Sequence, residues 1–135
     1  MRTVYADTSY WLALFHKKDQ YHQLALEASA CLPNAIIVTS EAVLTEFLNF
    51  ASKYPKFAPA AVKAVREILD DANVQTEHLT HGRFLDALDL YEDRPDKTYS
   101  LTDCISMCLM KDKDIVDILT TDHHFEQEGF TILME

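Results

Sequence analysis

Glycine is scarce in this chain, with two in 135 residues, and proline occurs only four times. That excludes collagen-like and low-complexity architectures, and it removes the Asn-Gly and Asp-Gly pairs on which tight β-hairpins turn. No apolar run approaches the ~18 residues needed to cross a bilayer, so no membrane span is expected. Three cysteines are too few for a disulfide framework. Cys104 and Cys108 share a helix face at i, i+4, but no further Cys/His pair completes a zinc site, and they read as reduced core thiols of a cytoplasmic protein. The opening Met1-Arg-Thr-Val-Tyr-Ala-Asp7 turns acidic too early for a secretory leader. Positive charge is also short: 12 Lys and Arg stand against 22 Asp and Glu, a net charge of −10. Taken alone, that deficit opposes any binder relying on Lys and Arg to neutralise phosphates. A polyanionic ligand would need a bound metal or a local basic strip.

What is abundant is apolar surface. Hydrophobic residues make up 48% of the chain, enough for one helix-rich globule, and no linker or repeat divides residues 1–135. Thr3 to Ala6 predicts a short strand ending at Asp7, and Trp11, Leu12, Leu14 and Phe15 bury one side of the helix after it. Tyr10, Trp11 and Phe15 suit either a core or a dimer surface. A second helix is expected from about Tyr21 to Cys31, with Leu24, Ala28 and Cys31 inward. Ala35 to Thr39 predicts a strand buried on both faces; Ser40 then caps a helix with Val43, Leu44, Phe47, Leu48 and Ala51 inward and Glu46 at the edge of that stripe.

After Tyr54-Pro55, a helix carrying Pro59 in its first turn shows Ala61, Val65, Ile68 and Leu69 on one face. Asn73 to His78 is a weaker strand. The Arg83–Glu92 helix directs Phe84, Leu88 and Tyr91 inward and Asp86, Asp89 and Asp93 to water. Ile115 to Thr121 and Phe130 to Met134 predict two more strands, separated by a short helix that Gly129 closes. Strands alternating with helices indicate an α/β fold with a mostly parallel sheet.

One stretch does not fit a surface role. Cys104 to Met110 is apolar at every position but Ser106, so a helix there has no polar side and belongs inside the protein. Asp103 enters the core in its first turn, where an unpaired charge is costly and must be capped, neutralised or bound to a cation. Asp7 and Asp122 each stand at the carboxyl end of a predicted strand, the edge at which open α/β sheets bind ligands. Glu46 follows the second strand by about two helical turns. Four acids from separate elements can therefore converge on one edge. Each also has a plainer reading: Asp7 and Asp122 as N-caps, Ser100-Leu-Thr-Asp103 as a capping box, Glu46 as a solvated helix residue. Capping and metal binding are compatible at the same residue.

Asp7-Thr-Ser9, Thr45-Glu46, Ser100-x-x-Asp103 and Thr120-Thr-Asp122-His-His-Phe125, in that order and spacing, resemble the PIN-domain ribonucleases, particularly the VapC-type toxins of bacterial toxin–antitoxin pairs. The resemblance spans nearly the whole chain and implies a single PIN domain over 1–135: a three-layer fold whose five-stranded sheet has the order 3-2-1-4-5. It implies endonucleolytic cleavage of RNA, a homodimer and a cognate antitoxin. It also implies a Mg²⁺ or Mn²⁺ site in which Asp7, Asp103 and Asp122 hold the metal, and Glu46 supports a second ion or orients the attacking water. Hard carboxylate oxygens suit those cations. Ser9 and Thr121 are auxiliary candidates, as hydroxyls bonding the carboxylates or the phosphate, or as ordinary turn and strand residues. Lys53 and Lys56 offer contacts to an RNA backbone or simply end their helix in solvent; His123-His124 reads as polar surface.

Other readings fit less well. A non-catalytic acidic metal-binding switch resembling a response-regulator receiver needs adjacent acids after its first strand and a late lysine, but a single Asp7 and Thr120-Thr121 stand there. A phosphatase of the haloacid-dehalogenase type needs D-x-D, and position 9 is serine. A housekeeping RNA-processing nuclease of the same fold, or a silent scaffold, would share these motifs.

Overall fold

The computed structural model describes residues 1–135. Five strands form one sheet: β1 (Thr3–Ala6), β2 (Ile36–Ser40), β3 (Val74–Glu77), β4 (Asp117–Leu119) and β5 (Thr131–Ile132). Their order is β3-β2-β1-β4-β5 and every neighbouring pair is parallel. Helices α1 (Thr8–Phe15), α2 (His22–Ala30), α3 (Glu41–Ala51), α4 (Ala58–Asp70), α5 (His81–Asp93) and α6 (Leu101–Asp112) make the connections. Short 3₁₀ turns occupy Pro55–Phe57 and His123–Glu128. The expected α/β class and strand order are both present.

β1 occupies the middle of the sheet, and Val4, Tyr5 and Ala6 are all buried, as a strand covered on both faces requires. Its Tyr5 hydroxyl lies 3.2 Å from Ser40 Oγ and 2.9 Å from Ser106 Oγ. This explains the one polar position in the apolar stretch of α6. Ser106 partners a buried phenol, because an unbonded hydroxyl at that depth would be expensive. On the other flank, Trp11 Nε1 donates to Thr39 Oγ1 at 3.1 Å, and Thr39 Oγ1 donates to the Ala6 carbonyl at 2.9 Å, fixing α1 against β1 and β2. Tyr10 and Trp11 are thereby core residues, while Phe15 is half-buried against Phe47.

Three expectations about helix faces fail. In α5 the buried residue is Ala87, whereas Phe84, Leu88 and Tyr91, expected inward, are 38%, 44% and 50% exposed. α5 packs chiefly on α6, and a small residue at the contact lets the helices approach closely and turns the larger side chains outward. Cys31 is exposed and Ala25 is the buried position of α2. Leu69 is 53% exposed, because Ala61 is the position of α4 fully covered, with Ala64, Val65 and Ile68 beside it. Strands four and five are also shorter than their apolar runs. β5 pairs only with β4, and the burial of Phe130 and Met134 comes from packing outside the ladder.

Candidate active-site cleft

Asp7 follows the last residue of β1, and Asp122 lies three residues beyond β4. Asp103 is in the first turn of α6, and Glu46 is midway along α3. All four line one cleft of about 380 Å³, together with Ser9. Asn49 and Phe50 of α3, and Lys53 just beyond the end of that helix, also line it. The position, outside the carboxyl ends of adjacent parallel strands, is where such sheets bind ligands.

The four acids are held in different ways. Asp7 occupies the N-cap position of α1, yet its side chain makes no cap hydrogen bond. Instead Thr120 Oγ1 donates to Asp7 Oδ2 at 2.8 Å, and Asp7 Oδ1 is buried with no hydrogen-bond partner. Burial pushes the Asp7 carboxyl up to about 7; the Thr120 bond opposes this, and the charges of Asp103 and Glu46 add to it. Asp103 closes a capping box: its amide donates to Ser100 Oγ at 3.0 Å and the Ser100 amide donates to Asp103 Oδ2 at 3.1 Å. Burial also raises its pKa; the Ser100 amide lowers it, and Asp122 and Glu46 raise it. Asp122 caps the 3₁₀ turn, with Oδ1 accepting from the His124 amide at 2.9 Å. Glu46 is half-buried on α3. Asp103 and Asp122, both lining the cleft, thus each commit one carboxylate oxygen to a cap and leave the other without a hydrogen bond. Asp7 commits one to a threonine.

Thr120 is the hub. Its single proton goes to Asp7, so it accepts from the Asp122 amide at 3.0 Å and, across 3.1 Å, from Ser9 Oγ. Ser9 Oγ in turn accepts from the Thr121 amide at 3.1 Å. Of the two auxiliary hydroxyls expected, Ser9 reaches the acids through Thr120, while Thr121 contributes its backbone amide to Ser9. Successive side chains on an extended segment point to opposite sides, which is why the neighbour of the expected threonine carries the contact.

The two histidines separate. His123 is exposed beside Glu126, as expected of polar surface, but His124 is half-buried. His124 Nδ1 lies 3.3 Å from Asp122 Oδ1 and 3.9 Å from Asp103 Oδ2, and its ring packs edge-on against Tyr99 at 5.3 Å. Ligand atoms of Asp103, Asp122 and His124 all lie within 4.8 Å of one another, close enough to share a cation. From the sequence, Thr120 has no role beyond its place in the motif, His124 reads as polar surface, Asn49 is not singled out and Lys53 is left between RNA contact and a solvated helix end. A usable signal existed for α3, since Glu46, Asn49 and Phe50 are spaced i, i+3, i+4 and so share one face, with Lys53 following just past the helix end.

Comparison with known proteins adds the family. A protein-family model described as the PIN domain matches residues 4–130. The 23S rRNA-specific endonuclease VapC20 of Mycobacterium tuberculosis, from strains CDC 1551 and H37Rv, is 28% identical over 127 residues, covering 94% of this chain and 95% of the relative. The crystal structure of M. tuberculosis VapC20, described as a Sarcin-Ricin loop cleaving toxin, superposes with a TM-score of 0.87 at 28% identity, over 95% of this chain and 96% of that one. VapBC2 of Rickettsia felis, solved bound to a promoter DNA fragment, shares the fold with a TM-score of 0.66 at 16% identity, over 96% of both chains. Sheet order, the acidic cleft at the strand ends and a match from Val4 to Phe130 agree, and the chain belongs to the PIN-domain family.

Proposed function

We propose that this protein is a metal-dependent endoribonuclease and the toxin of a type II toxin–antitoxin pair. The observation that carries the reading is the buried, unpartnered Asp7 Oδ1 in a cleft lined by three further acids. Buried acceptors almost always have partners, and an oxygen left open among carboxylates is suited to a cation. The likeness to VapC20 along nearly its whole length points the same way.

Asp7, Asp103 and Asp122 would hold Mg²⁺ or Mn²⁺, with Glu46 supporting a second ion or orienting the attacking water. When bound, such an ion lowers the pKa of water and neutralises charge developing on the phosphate and the leaving oxygen. The chain's own contribution is placement. Thr120 and Ser9 hold the Asp7 carboxylate, Ser100 holds Asp103, and the His124 amide holds Asp122. Lys53, on the cleft wall, supplies the local positive charge that a chain of net charge −10 otherwise lacks. RNA is the substrate, a separately made antitoxin the inhibitor, and the cytoplasm the place of action. No helix is long and apolar enough to cross a membrane. A homodimer would cover apolar side chains that the single chain leaves open, of which α5 offers Phe84, Leu85, Leu88 and Tyr91.

The test is cleavage of total RNA by wild type and Asp103→Asn, with and without Mg²⁺, and mapping of the cut ends. Wild type should cut at discrete sites only with metal, and Asp103→Asn should be folded and inactive. Full activity in that variant would refute the assignment of Asp103. Unimpaired growth and intact RNA after inducing the wild-type protein alone in a bacterium would refute the toxin reading.

A further inference from the structure

An aromatic run leaves the acidic cleft along the end of α3. Phe50, which lines the cleft, has its ring centroid 6.3 Å from that of Tyr54; Tyr54 lies 6.1 Å from Phe57, and Phe57 lies 5.6 Å from His16. These rings are not core. Phe50 is 45% exposed and Tyr54 50% exposed, and His16 is also open to solvent. Two ammonium groups sit over them, Lys53 Nζ at 5.3 Å from the Phe50 ring and Lys56 Nζ at 5.2 Å from the Phe57 ring. Neither lysine is in an ion pair; Lys17, Lys18, Lys63, Arg66 and Lys97 share that, but only Lys53 and Lys56 lie against aromatic rings. In a chain so short of positive charge, unpaired cations resting on solvent-exposed rings favour an anionic occupant with flat rings, which can take the place of the ammonium on the ring, over an apolar or basic peptide.

We infer that Phe50, Tyr54 and Phe57 form a stacking platform for unpaired RNA bases adjoining the cleft, with Lys53 and Lys56 contacting the phosphates between them. The inference rests on the nuclease reading and adds to it the residues that would hold the unpaired bases beside the cleft. A base inside a duplex is already stacked on its neighbours and has no free face to offer, so the platform selects against paired segments. Pro55 follows Tyr54 at the start of the 3₁₀ turn, where its fixed φ limits the backbone freedom between the Tyr54 and Phe57 rings.

The experiment compares Phe50→Leu, Tyr54→Leu and Phe50→Trp. Leucine keeps apolar bulk and removes the π-face, so it separates stacking from hydrophobic contact. Binding is read by fluorescence anisotropy of a labelled single-stranded RNA oligonucleotide and of the same strand in a duplex, in Mg²⁺ and on the Asp103→Asn background. Cleavage of the single strand is followed with Asp103 intact, and thermal melts confirm folding. Each leucine variant should weaken single-strand binding about 5- to 50-fold, leave duplex binding unchanged and raise KM rather than lower kcat. Phe50→Trp should bind at least as tightly as its parent. Single-strand binding by the leucine variants within twofold of the parent, or equal parental binding to duplex and single strand, would overturn the platform. If wild type cuts RNA and these substitutions change nothing, the platform falls and the nuclease reading stands. If π-dependent binding appears but wild type never cuts, the platform stands and the nuclease reading falls.

Discussion

Replacing Asp7 by asparagine should stabilise the metal-free protein while abolishing cleavage. The folded-state pKa of Asp7 is raised to about 7 from 3.8, chiefly by burial. Between those values the folded state binds more protons than the unfolded chain, so stability falls as pH rises from about 4 to about 7 and then levels off. A shift of that size corresponds to roughly 2–4 kcal/mol lost at pH 8, allowing for relaxation around the carboxylate. Asparagine has no charge to bury, its amide oxygen can keep the bond from Thr120, and its NH₂ can face the neighbouring acids. For a chain of this length, one kcal/mol moves Tm by about 3–4 °C. Asp7→Asn should therefore raise Tm by roughly 7–14 °C at pH 8 in EDTA, and by little at pH 4. Adding Mg²⁺ should raise the Tm of wild type at pH 8 and that of the variant much less, since bound ligand stabilises only the state that holds it. Melts by circular dichroism across pH 4 to 8 would measure all three effects. A variant less stable than wild type at pH 8, or a difference independent of pH, would refute the account of Asp7 as a buried carboxylate awaiting a cation.

Thr120→Val removes the one hydroxyl that donates to Asp7 and accepts from Asp122 and Ser9. It should lower activity about 10- to 100-fold, the usual effect of losing a group that orients a ligand, and move the acid limb of the pH–rate profile upward. An unchanged profile would contradict the hub role. Asp114 has φ 55 just beyond the end of α6, a position that favours glycine, so Asp114→Gly should raise Tm by about 2–4 °C without changing cleavage. A drop in Tm would show that the Asp114 side chain matters more than its backbone. If the protein pairs through the open face of α5, as proposed, Leu88→Glu should lower the mass by light scattering from dimer to monomer while leaving the melting curve near that of a wild-type monomer. An unchanged dimer mass would place the interface elsewhere.

Much of the architecture was readable because its signals are local. A Val4-Tyr5-Ala6 strand with no polar face, Ser40 as a cap and Gly129 as a left-handed stop each follow from chemistry within a few residues. The all-apolar stretch of α6 announced its own burial, and the acids at two strand ends announced a shared edge. What the chain order did not reveal depends on partners distant in sequence. Ala87 is buried in preference to Phe84 because of how closely α6 approaches, and periodicity gives no measure of that. Thr120 rather than Thr121 meets Asp7 because of the way the segment leaves β4, and adjacent threonines look alike on the page. His124 sits between Asp122 and Asp103 only once α6 and the 3₁₀ turn are brought together across the Tyr99 ring.

The choice between cap and ligand, open from the residues alone, has a different answer at each acid. Asp103 and Asp122 have the means to do both, because a carboxylate has two oxygens and the cap bond uses one. Their caps stabilise the helix ends independently of any ion. Asp7 has the cap position of α1 without the cap bond, and the Thr120 hydroxyl is the one side chain that donates to it. The cost of assembling four acids therefore concentrates at Asp7, the deepest of them, and the other acids add to its burden through charge. A cation entering the cleft would relieve that burden where it is greatest, so metal affinity and pH-dependent stability should vary together at this residue. Substitutions at Asp103 or Asp122 instead remove a cap along with the charge, and their effects on stability should be smaller or of opposite sign.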